Sequence, residues 1–171
     1  MKKRAILAIV LLMILASLEV SAMTAKPVRT YILVHGGNMS TDAWNTLTKS
    51  NVYPPGGKLG GKVWDSISPA LTAQNHRVFA PTLKGEHQTN LTGHIEQIST
   101  LITENELKDV ILVGHSYGGM IITGVAAKMP DRIGRLVYVD AALPDPGQSL
   151  FDIIVSGGRD PLSFAGLEPA V

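Results

Sequence analysis

The five residues Gly114-His115-Ser116-Tyr117-Gly118 constrain what this chain can fold into more than any other stretch. Ahead of them, Asp109-Val110-Ile111-Leu112-Val113 is a short apolar run that reads as a buried strand. Behind them, residues 119–129 read as a helix closed by Pro130. A Gly-x-Ser-x-Gly pattern between a strand and a helix specifies a sharp, strained turn. The serine of such a turn has its hydroxyl clear of the sheet. Side chains two residues to either side would collide with neighbouring backbone, which accounts for Gly114 and Gly118.

The rest of the chain repeats this alternation. Residues 30–34, Thr-Tyr-Ile-Leu-Val, form a strand that runs directly into His35-Gly36-Gly37, where two glycines free backbone N–H groups to face a ligand. A short helix begins near Asp42, capped by Ser40 or Thr41. Residues 48–61 are a Pro/Gly-rich loop leaving the same strand end, placed to rim a pocket or to be a plain surface insertion. Val63, Trp64, Ile67 and Leu71 then recur at helical spacing, with Pro69 predicting a kink or a very short helix. Residues 77–81 are a second strand. A polar loop carrying His87 follows. Next comes a helix with Ile95, Ile98, Leu101 and Ile102 on one face, Thr92 as its cap and Glu96 in its first turn. Residues 133–139 are a fourth strand, after which the pattern stops at Asp140. A helix begins near Ser149. Strands alternating with helices in this way predict a parallel α/β sheet with right-handed crossovers.

Composition narrows the function. The absence of cysteine excludes disulfides, thiolate metal sites and a cysteine nucleophile. A net charge of +1 is too balanced to indicate nucleic acid as a partner. No His, Asp or Glu cluster has metal-ligand spacing, and no cofactor is implied. Lys2-Lys3-Arg4, the uncharged run over residues 5–18 and Val20-Ser21-Ala22 read as a signal peptide cleaved after Ala22, hence export to the periplasm or the exterior. The run is short of the roughly twenty residues a membrane span needs. A retained anchor is the alternative, and a start at Met23 would leave the protein cytoplasmic.

Together these pieces resemble the α/β-hydrolase superfamily, and within it the small group of plant methyl esterases and hydroxynitrile lyases. The resemblance is carried by Val34-His35-Gly36-Gly37, the segment with Trp64 and Leu71, Arg77-Val78-Phe79-Ala80-Pro81 and His94-Ile95. It continues through Val113-Gly114-His115-Ser116-Tyr117-Gly118-Gly119 and Leu136-Val137-Tyr138-Val139-Asp140-Ala141, and covers about residues 28–150. It implies that Ser116 is the nucleophile and that the N–H groups of Tyr117 and Gly37 form the oxyanion hole. His35, Gly36, Gly114 and Gly118 would shape the site. The implied substrate is a small-molecule ester. On this reading residues 23–171 are a partial hydrolase domain whose cap begins near residue 141.

The family's order of catalytic residues is Ser, then Asp or Glu, then His. All five histidines, His35, His76, His87, His94 and His115, occur before Ser116. The chain therefore reads as the first two thirds of a hydrolase, lacking the last strands and helix. His115 alternates away from Ser116 along its strand, and His94 reads as structural. His87, in a loop at the correct end of the sheet, is a candidate improvised base. Asp140 stands at a strand end where a minority of the superfamily keeps its acid. Little turnover and marginal stability are expected of such a chain. The rival readings are a non-catalytic or decayed hydrolase-fold binding protein and a hydroxynitrile lyase-like enzyme. Oligomeric state is not legible.

Overall fold

The computed structural model of the chain describes residues 26–37, 39–85 and 88–158. The expected signal peptide, His87 and the last thirteen residues lie outside them.

Among the described residues four strands form one parallel sheet: β1 (Thr30–Val34), β2 (Arg77–Phe79), β3 (Val110–Ser116) and β4 (Ile133–Ala141), in the order β2-β1-β3-β4. The helices are α1 (Thr41–Thr48), α2 (Ser68–Ala73), α3 (Leu91–Glu104), α4 (Gly118–Lys128) and α5 (Leu150–Ser156), with 3-10 turns at Gly60–Trp64 and Pro130–Arg132. This is the alternation the periodicity predicts. In register, Ile32 lies beside Leu112, and Leu112 beside Leu136.

Strand alternation sorts the core into two layers. Ile32, Val34, Val110 and Leu112 pack beneath Ile98 and Ile102 of α3 and Ile121, Ile122 and Val125 of α4. Leu33, Ile111 and Val113 meet Trp64 on the opposite face. Among the described residues the first layer holds eleven buried apolar side chains and the second four. At about 1.5–3 kcal/mol for each fully buried side chain, the α3–α4 layer dominates the stabilisation. β4 is covered less well than β3, and Val139 is 42% exposed.

Some element ends fall where expected and others differ. Ser40 is the cap of α1, accepting from the Ala43 N–H at 3.1 Å. The helical spacing of Val63, Trp64, Ile67 and Leu71 resolves into two pieces, the 3-10 turn and the six-residue α2. Pro69 sits in the first turn of α2, where its missing N–H has no intrahelical partner to lose, so of the two expected outcomes the very short helix holds and the kink does not. The cap of α3 is Asn90, not Thr92: its Oδ1 accepts from the Gly93 N–H at 3.1 Å, and Glu96 falls beyond the first turn. β4 runs on to Ala141, because its pairing with β3 resumes after Asp140, with Ala141 opposite Ser116. A helix does begin at the expected place, with Ser149 as the cap of α5.

Candidate active site

Ser116 is the last residue of β3 and is exposed. Its φ is +52°, the left-handed region that costs a side chain with a Cβ about 1–2 kcal/mol. Strand alternation would turn Ser116 toward the α3–α4 layer, and this backbone turn lifts it out instead. The next residue, Tyr117, is already right-handed and opens α4. Three glycines let the surrounding backbones converge. A Cβ on Gly114 would lie 2.7 Å from the Gly118 carbonyl oxygen. One on Gly118 would lie 2.7 Å from the Val34 oxygen and 2.9 Å from that of His35. One on Gly36 would lie 2.7 Å from the Ser116 Cβ. The first α4 turn therefore rests on the end of β1, and the His35-Gly36-Gly37 turn lies directly beside the nucleophile candidate.

His35 explains how that turn is held. The ring is buried. The Leu83 N–H, which can only donate, meets Nε2 at 2.9 Å, so Nε2 is the acceptor. Nδ1 then carries the proton and donates to the Gly36 carbonyl at 2.7 Å. The Gly36–Gly37 peptide is trans, so pinning its oxygen on the imidazole directs the Gly37 N–H away from the ring. The Gly37 carbonyl is tied in turn to the Met39 N–H at 2.9 Å. His35 is thus a shaping residue whose two nitrogens are both engaged, not a free base.

The remaining histidines are also placed. His115 packs edge-on against Trp64 with ring centroids 6.4 Å apart, on the face away from the α3–α4 layer, and is half-buried rather than a core residue. His76 lies at the opposite end of the sheet, beside Tyr31. His94 is buried between Tyr117 and the loop after β2, with Nδ1 3.1 Å from the Tyr117 hydroxyl and Nε2 2.9 Å from the Lys84 carbonyl oxygen. The Tyr117 contact is a feature the sequence reading missed. Its signal was position: His94 is four and eight residues before Ile98 and Ile102, on the buried stripe of α3.

Asp140 is the extra residue of a β-bulge. His115 faces Val139 and Ser116 faces Ala141, leaving Asp140 between them, exposed at φ +43°. The bulge brings the end of β4 level with the serine turn, and the Ala142 N–H donates to the Ser116 carbonyl at 3.0 Å.

The 48–61 loop does line a groove, of about 720 Å³, but against α1, with Asp42, Asn45, Lys49 and Tyr53 among its walls and without Ser116. Burial, and then the hydrogen bond to Asp65, push the Tyr53 hydroxyl above the ordinary tyrosine range, which keeps it a donor to that carboxylate and to the Lys62 carbonyl. Among the described residues no group of His, Asp or Glu is arranged to hold a metal, and no helix is long and apolar enough to cross a membrane.

An exposed hydroxyl on a strained turn, a held glycine turn beside it and the N-terminus of α4 behind it thus lie together at one end of the sheet. Comparison with known proteins identifies similar chains among esterases and hydrolases. The chain is 39% identical over 133 residues to the carbendazim hydrolyzing esterase of Nocardioides sp. (strain SG-4G), covering 72% of this chain and 46% of that protein. It is 28% identical over 141 residues to polyneuridine aldehyde esterase of Rauvolfia serpentina, covering 76% and 45%. Among solved structures, an extracellular alpha/beta-hydrolase from a Paenibacillus species superposes with a TM-score of 0.55 at 29% identity, covering 72% of this chain and 44% of that one. The chain thus spans about half the length of the relatives it matches. The model of the alpha/beta hydrolase family matches residues 31–170, and with the sheet order and the serine turn this establishes that the chain belongs to that family.

Proposed function

We propose that the protein is a serine carboxylic ester hydrolase that acts on small-molecule esters through an acyl-enzyme on Ser116. The observation that carries this is the left-handed Ser116 with its exposed side chain beside Gly36. The Ser116 Oγ attacks the ester carbonyl as a base removes its proton. The carbonyl oxygen becomes an oxyanion, which the Gly37 and Tyr117 N–H groups stabilise, each worth about 3–4 kcal/mol in such sites. The C–O bond to the alcohol breaks, the alcohol leaves with the proton, and water then hydrolyses the acyl-serine. Among the described residues no histidine supplies the base, since His35 and His94 use both ring nitrogens and His76 and His115 lie elsewhere. Lys2-Lys3-Arg4 and the apolar run after it support export before the enzyme acts.

The test is hydrolysis of p-nitrophenyl acetate by the protein as its native source makes it, with and without Ser116→Ala. The expected result is a Ser116-dependent rate that the substitution reduces to background; an unchanged rate rejects the assignment. The engaged histidines favour one second reading, a binding protein on the same scaffold. Saturable ligand binding with no product would select it.

A further inference from the structure

Two buried histidines from different elements converge on one short segment. His35, 3% exposed, accepts the Leu83 N–H at Nε2 and holds the Gly36 carbonyl through Nδ1. His94, 2% exposed, faces the Lys84 carbonyl oxygen with Nε2 at 2.9 Å, so that nitrogen donates. In the neutral ring Nδ1 is then the acceptor, and the Tyr117 hydroxyl donates to it at 3.1 Å. Leu83 and Lys84 are adjacent, and Leu83 is itself buried in the α3–α4 layer. Gln97 of α3 grips the same segment: its Oε1 accepts from the Lys84 N–H at 3.0 Å and its Nε2 donates to the Thr82 carbonyl at 2.9 Å.

We propose that His35, Leu83-Lys84 and His94 form a strut that sets the spacing between the two oxyanion donors, Gly37 N–H and Tyr117 N–H, and that His94 is a positioning residue for the reaction proposed above, on which this inference rests. The two donors come from the ends of different strands, β1 and β3, and both must point at one oxygen atom. Sheet register fixes the strands but not the peptide planes beyond them. His35 fixes the Gly36–Gly37 peptide, whereas His94 fixes the ring of Tyr117, the residue that carries the second N–H. Both rings are referenced to neighbouring residues of one segment, so a shift of either turn strains a hydrogen bond to that segment. At the contacts to Leu83 and Lys84 the partner roles do not exchange either, because a backbone N–H only donates and a carbonyl only accepts.

The experiment uses the full chain as its source expresses it, with Ser116-dependent ester hydrolysis as readout, for Tyr117→Phe, His94→Leu and the double variant. Tyr117→Phe removes a single oxygen, so it tests the strut even if His94→Leu does not fold. Misplaced groups near a reacting centre cost up to about a hundredfold. The expected result is a fall in kcat of about tenfold or more in each single variant, KM within about twofold, and no further loss in the double. An unchanged kcat in Tyr117→Phe, or losses that multiply in the double, overturns the strut. Ser116→Ala is the separate control: a rate that survives it rejects the nucleophile rather than the strut. If turnover is too slow to measure, amide NMR gives the answer. Tyr117→Phe should shift both the Leu83 and the Gly37 N–H resonances, and shifts confined to α4 overturn the proposal.

Discussion

At the scale of the residue, the site depends on how closely three backbones approach one another. Gly118→Ala puts a methyl carbon 2.7 Å and 2.9 Å from two carbonyl oxygens of the β1 end, well inside ordinary contact. Neither oxygen can rotate away as a side chain would. Overpacking of this kind costs about 1–3 kcal/mol, so the urea midpoint should fall clearly. A midpoint equal to that of the parent would show that the β1 end yields. The need for glycine at 114 and 118 was legible in the sequence because it follows from the turn itself. The contact of Gly36 with Ser116 was not, since it joins residues eighty positions apart in sequence through strand register. The role of His94 was hidden for the same reason: its partners lie in a loop and on another helix.

Element boundaries depended on local chemistry that competes. Strands were plain because apolar β-branched runs admit few other readings. Caps were harder: Asn90 and Thr92 are both good capping residues, and the hydrogen bond to Gly93 decided for Asn90. The end of β4 was misplaced because a bulge at Asp140 leaves no mark in hydropathy. α5 carries a capping box in which the Asp152 side chain accepts from the Ser149 hydroxyl and N–H. Those bonds, the side-chain one first, hold the exposed Asp152 carboxyl below its ordinary value of 3.8. A carboxyl lowered in the folded state contributes stability that is present above the unfolded value and is lost as pH falls through the folded one. The start of α5 should therefore persist at pH 4 and loosen only below 3.8. NMR titration of the Ser149 and Asp152 amides reads this directly, and a midpoint at or above 3.8 would contradict it.

For the whole molecule, the packing is lopsided. One sheet face is well covered by α3 and α4. Among the described residues the other holds a small cluster around Trp64, whose buried indole N–H has no hydrogen-bond partner. Among the described residues β4 pairs with β3 alone, which leaves this nine-residue strand with an edge that no described strand covers and Val139 exposed. Open edges and thin cover favour pairing with other chains. The 171-residue chain by itself should unfold at low urea or self-associate on sedimentation. A monomer with one cooperative transition at high denaturant would refute this. The fold class was legible because alternation of strand and helix is a property of the whole chain. The acyl-transfer assignment concentrates in a single atom, the Ser116 Oγ. The most direct measurement is to treat the protein, as its native source makes it, with a fluorophosphonate and map the adduct by peptide mass. A phosphonyl group on Ser116 is the predicted result. No adduct, or an adduct on another serine with Ser116 unmodified, would contradict the account.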